Sequence, residues 1–151
     1  MKEEKPTRSY LASTFSCYCP RCRQGKLFKH KLSVKPKRNL EMYTNCVQCG
    51  QPTEIEVGFY YGTSYVSYVF GVALSVTTFL LWWLIIGVSF TDNRFLYWIA
   101  FNTLLLVGLQ PWLMRFSRSL WISWFVSYDP HWRENPPEDL GRTNDAQMNN
   151  W

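Results

Sequence analysis

Gly58 to Phe70 reads GFYYGTSYVSYVF, with four tyrosines and two glycines. Rings with a polar tip favour the headgroup layer of a bilayer, so this run is expected to be an aromatic interfacial joint. Gly58 and Gly62 let the chain turn there, and Tyr60, Tyr61, Tyr65 and Tyr68 are expected to anchor it. On its carboxyl side the chain is built for lipid. Residues 65–90, YVSYVFGVALSVTTFLLWWLIIGVSF, carry no ionisable group except tyrosine. That exceeds the roughly 20 residues needed to cross a hydrocarbon core. A second apolar run, 95–114, follows after only Thr91, Asp92, Asn93 and Arg94. So short a link forces two antiparallel helices, a transmembrane hairpin. Ser67, Gly71 and Ser75 on the first helix, with Ala100 and Gly108 on the second, form small-residue stripes expected to let the backbones approach closely. Asn102 and Gln110, the strongest polar groups in the second span, are expected to hydrogen-bond a neighbouring helix.

Composition agrees. Aromatic residues make up 18% of the 151 residues, with eight tryptophans, a content suited to crowded membrane interfaces. The net charge of +5 is uneven: residues 1–58 hold eleven of the sixteen Lys and Arg and only five acids. No continuous apolar stretch occurs in the first 60 residues, so an exported, cleaved amino terminus is not expected.

On the amino side of the joint lie CYCPRCRQGKLF (17–28) and NCVQCGQP (45–52). Cys19 with Cys22, and Cys46 with Cys49, form two Cys-x-x-Cys pairs separated by 23 residues, a little beyond the roughly 15–20 usual in ribbons. Each pair can supply two adjacent vertices of a tetrahedron, and two such knuckles close a four-sulfur site. Pro20 stiffens the first knuckle, and Gly50 follows the second where a positive φ is common. A segment this short cannot bury enough core to fold alone, so a metal staple is physically apt. The expected ion is structural Zn2+, with iron compatible with the same ligands. Cys17 is an extra thiol beside the site. Between the knuckles, Lys26 to Asn39 holds seven Lys, Arg and His side chains. With Phe28 the only aromatic there, contact with anionic lipid is preferred over nucleic acid.

The expected domain organisation is a mobile amino-terminal tail (1–14), a zinc-ribbon-like cytoplasmic domain with short β structure (15–57), and the aromatic joint (58–70). Transmembrane helices follow at 65–90 and 95–114, then an interfacial helical extension (115–128) and a polar carboxyl-terminal tail (129–151). In the extension, Leu120, Trp121, Trp124, Phe125 and Tyr128 recur at helical spacing, as in a continuation of the second helix or an interfacial amphipathic segment. Arg115, Arg118 and Arg133 follow the second span, whereas the hairpin loop has Arg94 alone. Together with the basic amino-terminal domain, this places both termini in the cytoplasm, where the cysteines stay reduced. Neither span contains Asp, Glu, Lys, Arg or His, so the hairpin alone encodes no proton relay. His30 and His131 both lie outside the spans, which excludes a bis-histidine haem between them. No catalytic constellation or small-molecule substrate site is legible.

CPRCRQGKLF, CVQCG and GFYYGTSYVSY leading into a two-helix hairpin resemble the bacterial family called Domain of Unknown Function 983, in its Bacteroidetes-type branch. The order of motifs covers roughly residues 17–128. The resemblance implies that Cys19, Cys22, Cys46 and Cys49 are the family's cysteine pairs, and that Pro111, Arg115 and Arg118 form its proline-and-basic ending of the second helix. It also implies a bacterial inner-membrane protein linked to assembly of a respiratory complex, such as cytochrome oxidase.

Three functions compete. The first is a non-enzymatic accessory or assembly protein whose hairpin packs on other membrane subunits, with Tyr60, Tyr61, Tyr65, Tyr68, Gly71, Arg115, Arg118, Trp121 and Trp124 as expected partner or lipid contacts. The second is a cytoplasmic-face module for anionic lipid or nucleic acid. The third is a thiol redox or metal-transfer protein centred on Cys17.

Overall fold

The structure, a computed structural model, describes residues 8–87 and 92–137. Two long helices dominate it: α3, Thr63–Ile85, and α4, Arg94–Phe125. Ahead of them come α1 (Tyr10–Phe15), α2 (Pro36–Leu40) and a single 3-10 turn at Phe59–Gly62. Both long helices are long and apolar enough to cross a membrane, with mean hydropathies of 1.9 and 1.3 in their most apolar stretches. Those stretches are 0% and 6% buried inside the protein. A core helix of a water-soluble domain is mostly buried, whereas each of these turns one face to the other helix and leaves most of its apolar surface exposed.

α3 and α4 run antiparallel and are tied by hydroxyl and amide groups. Asn102 Nδ2 donates to Ser75 Oγ (3.1 Å), Thr78 Oγ1 donates to Asn102 Oδ1 (3.0 Å), and Ser67 Oγ donates to Ser117 Oγ (2.9 Å). Phe79 meets Trp98 edge-on and Trp82 stacks on Phe101. Asn102 thus bonds its own hairpin partner, while Gln110 stays exposed. The glycine and alanine positions of the small-residue stripes are not the contact, whereas Ser67 and Ser75 of the first stripe are. A Cβ added at Gly71 or Gly108 would meet nothing within 4 Å, and Ala100 is exposed. Buried amides and hydroxyls must find partners in an apolar setting, so they, rather than the glycines, set the rotation of the helices.

Of the two readings of the extension, α4 takes the continuation of the second helix. It passes through Pro111 without ending, so the expected extension after Met114 belongs to the same helix. One face of its last turns is covered by the protein itself: Phe116, Ser117, Ser119 and Ile122 are buried, and Val126 just beyond is too. They pack beneath the cysteine unit, whose core unites Cys19, Cys22, Leu27, Phe28, Met42, Cys46 and Cys49 with Phe59, Tyr60, Ile122 and Val126. Within that unit no strand forms among the described residues. Isolated antiparallel bridges join Tyr18 to Lys26, Phe28 to Met42 and Asn45 to Pro52.

The amino-terminal end is also more structured than expected. Residues 10–14, assigned to a mobile tail, lie in α1, capped by Ser9 and packed on α4. Phe15 stacks on Phe116 at 4.8 Å, and the Tyr10 hydroxyl meets Ser123 Oγ at 3.0 Å. Residues 129–137 fold back over the cysteine unit; residues 1–7, 88–91 and 138–151 lie outside the described ones.

Candidate metal centre

Cys19, Cys22, Cys46 and Cys49 are all buried, and their sulfurs lie within 4.8 Å of one another. Cys19 Sγ is 3.8 Å from Cys49 Sγ, and Cys22 Sγ is 3.7 Å from Cys46 Sγ. These separations are far beyond a disulfide bond of about 2.05 Å, and all five cysteines are free. An ion about 2.3 Å from each sulfur, the Zn–S length, requires tetrahedral edges of about 3.8 Å. The four sulfurs are positioned to bind one metal ion.

The knuckle backbones explain the placement. In the first, Arg23 N–H donates to Cys19 O (2.8 Å); in the second, Gly50 N–H donates to Cys46 O (2.9 Å). Both turns need a left-handed residue after the second cysteine, and Arg23 and Gly50 adopt φ of 54° and 69°. Cys19 N–H donates to Gly25 O and Cys46 N–H to Gln51 O, closing each loop. Gly25 N–H also points at Cys22 Sγ (3.4 Å). A Cβ at Gly25 would stand 2.3 Å from Cys46 Sγ, so this glycine lets the knuckles meet.

Sharing of protons follows the geometry. Hydrogen bonds from Cys19, then Cys46 and Cys49, hold the Cys22 thiol below its ordinary range, and the Cys19 hydrogen bond likewise leads in lowering Cys46 to about 7. Cys19 is pushed up, first by its bond to Cys22. A cation would take the place of those shared protons. Cys17 stands apart: burial pushes its thiol up to about 11, against the pull of the Arg115 charge.

Arg21, inside the first knuckle, was not singled out by spacing. It is 3% exposed and bridges both knuckles to the carboxyl-terminal strap. Its guanidinium donates to Cys49 O (3.4 Å), Asp129 Oδ2 (3.2 Å), Asn135 O (3.0 Å) and Pro136 O (2.7 Å). The only sequence hint is an arginine between two cysteines, which alone says nothing of its partners.

Arg115 and Arg118 were expected to touch partner or lipid, and the structure turns them inward. Arg115 Nε donates to Asn39 O (2.9 Å) and its Nη2 to Lys31 O (2.9 Å); Arg118 Nη1 donates to Leu40 O (3.1 Å). Three residues apart on α4, they share the face toward α2, whose last carbonyls lack helical partners. Arg115 lies over the Phe28 ring and Arg118 over the Tyr60 ring, each at 4.8 Å. Asn39 answers from the other side, Nδ2 donating to Pro111 O at 2.8 Å. The cysteine unit is therefore clamped to α4.

The aromatic joint splits in two. Tyr60 is buried with its hydroxyl donating to Thr53 O, so it belongs to the core rather than to a headgroup layer. Tyr61, Tyr65 and Tyr68 remain 71–76% exposed. Gly58 does make a turn, at φ 81°, whereas Gly62 is helical and serves a close approach. A Cβ on Gly62 would be 2.3 Å from Trp121 Cζ2. Trp121 is accordingly packed inside, while Trp124 is 59% exposed.

No family model, curated protein or solved structure matches the chain.

Proposed function

We propose that the chain is a non-enzymatic accessory or assembly protein of a bacterial inner-membrane complex, holding a metal-stapled docking unit against the cytoplasmic face. The observation that carries this reading is the join between its halves. One helix, α4, supplies both an outward-facing apolar surface and the buried floor of the four-cysteine unit, locked by Arg115 and Arg118. Apolar faces left uncovered by a two-helix hairpin, with Trp83, Leu84 and Leu104 56–78% exposed, support packing on further membrane subunits. The ion is Zn2+ in a closed structural site of the zinc-ribbon kind, with the isolated bridges standing where ribbon strands would run; four thiolates leave no open vertex for substrate. Both termini are cytoplasmic, in keeping with reduced cysteines and the excess of basic residues in the first 58. The resemblance to Domain of Unknown Function 983 adds the respiratory setting to this proposal.

Purification of the full chain from native membranes in mild detergent tests it. Partner subunits are expected to co-purify stoichiometrically and to be lost when Leu84 and Leu104 are replaced by bulky tryptophan. Recovery as a lone monomer at full yield overturns the reading. Metal analysis of the same sample is expected to return zinc.

A further inference from the structure

Lys31 to Arg38, KLSVKPKR, presents an unusual surface. Val34 is 86% exposed, more than any other large apolar side chain among the described residues, including those of the two long helices; Leu32 is 56% exposed. Solvent-exposed apolar side chains at a loop tip gain only when something apolar covers them. Around them Lys31, Lys35, Lys37 and Arg38 are exposed, and none forms an ion pair among the described residues. The acid nearest in sequence, Glu41, is engaged by Lys29 (3.0 Å) and His30 (2.9 Å).

The segment is held in place. Arg115 grips the carbonyls of Lys31 and Asn39, near its two ends. Ser33 N–H donates to Asn39 Oδ1 (3.1 Å), and Asn39 Nδ2 reaches Pro111 O. This geometry aims the tip along α4 toward its apolar half. Val34 and Pro36 face Leu106, Val107, Pro111 and Met114 across a hollow of about 400 Å³. Leu106 lies five residues before Pro111, about 7 Å further along the helix toward the apolar half.

We propose that residues 31–38 and the adjoining face of α4 form a binding site for one anionic phospholipid of the cytoplasmic leaflet. Leu32 and Val34 enter the acyl region, an acyl chain lies in the hollow beside Leu106 and Met114, and Lys35, Lys37 and Arg38 meet the phosphate. Charge complementarity selects an anionic headgroup, and the apolar tip together with the hollow selects a lipid over a free anion. The site rests on the proposed placement of α3 and α4 across a membrane.

The full chain, reconstituted in nanodiscs of equal phosphatidylglycerol and phosphatidylcholine, is gently released and its retained lipids are weighed by native mass spectrometry. Phosphatidylglycerol is expected to be retained about tenfold over phosphatidylcholine, below the limit set by three surface charges at about fivefold each. The triple variant K35Q/K37Q/R38Q is expected to lose the preference, and Val34→Ser to lower retention of both lipids, with metal content unchanged as a check on folding. Equal retention of the two lipids by the native chain overturns the proposal. So does displacement of phosphatidylglycerol by inorganic phosphate or by a short RNA, which would mark a general anion surface. Extraction of the chain from membranes by alkaline carbonate would instead refute the membrane placement beneath it.

Discussion

The two knuckles share a backbone and differ in what covers them. Each uses a left-handed residue after its second cysteine, glycine at position 50 and arginine at position 23. For a side chain that conformation costs roughly 1 kcal/mol. Arg23 recovers it through its side chain, stacked 4.0 Å over the Tyr128 ring and donating to Arg8 O. Gly50 has no side chain to offer and is covered by Pro137, whose Cγ would stand 3.3 Å from an added Cβ. One knuckle thus reaches out to the strap and the other receives it, with Arg21 between them. The four-sulfur cluster is therefore not a free-standing module: residues 128–137 complete it.

The largest effect should treat the knuckles alike. Cys22→Ser and Cys46→Ser are each expected to abolish stoichiometric metal and unfold residues 17–57, because metal binding energies on the order of 10 kcal/mol exceed what so small a core supplies. Metal analysis and proteolysis check this; a variant that keeps its ion would refute the four-sulfur site. Next, Gly25→Ala should displace Cys46 and lower metal affinity by more than tenfold, about 1.4 kcal/mol, whereas Gly50→Ala should cost only about 1 kcal/mol of stability. Equal losses from the two alanines in a chelator competition would erase the asymmetry. Arg23→Gly relieves strain while losing the Tyr128 contact, so melting should change by less than about 1 kcal/mol, with faster cleavage near Tyr128 as its signature.

The smallest effect concerns pH. The Asp129 carboxyl is held below its ordinary range, first by the Asn135 amide, then by the His131 N–H and Arg21. A depressed folded value means that its contribution is complete above about pH 4 and fades as pH falls through that lower value. Pepsin cleavage within 128–137 should accordingly appear only below about pH 4. Asp129→Asn should loosen the strap already at neutral pH, read by chymotrypsin cutting at Tyr128.

Which features were legible follows from how local their causes are. Ligand spacing in two Cys-x-x-Cys pairs and two long apolar runs are properties of short windows, and both point to what the structure contains. The arginine contacts are not local: Arg21 meets Asp129 across 108 positions, and Arg115 meets Asn39 across 76. Basic residues after an apolar run invite a lipid-facing reading, since a carbonyl partner leaves no mark in the sequence. The stripe at Gly71 and Gly108 misled for a different reason. Small residues recur in apolar helices of every kind, and here the stripe's hydroxyls count while its glycines do not: Asn102 donates to Ser75 and accepts from Thr78. Short β structure was expected from ribbon spacing, yet single bridges suffice where four sulfurs, rather than a ladder, set the loops.

The unbroken course of α4 through Pro111 has a mechanical consequence. Its 32 residues span about 48 Å, against about 30 Å of hydrocarbon. In the proposed setting it acts as a mast, fixing the altitude of the sulfur cluster above the bilayer and its compass bearing around the helix axis. Inserting one residue between Pro111 and Arg115 would swing that bearing by about 100°, and inserting a full turn would raise the cluster by about 5 Å while nearly restoring it. A partner that meets the cluster must stand at that height and on that side.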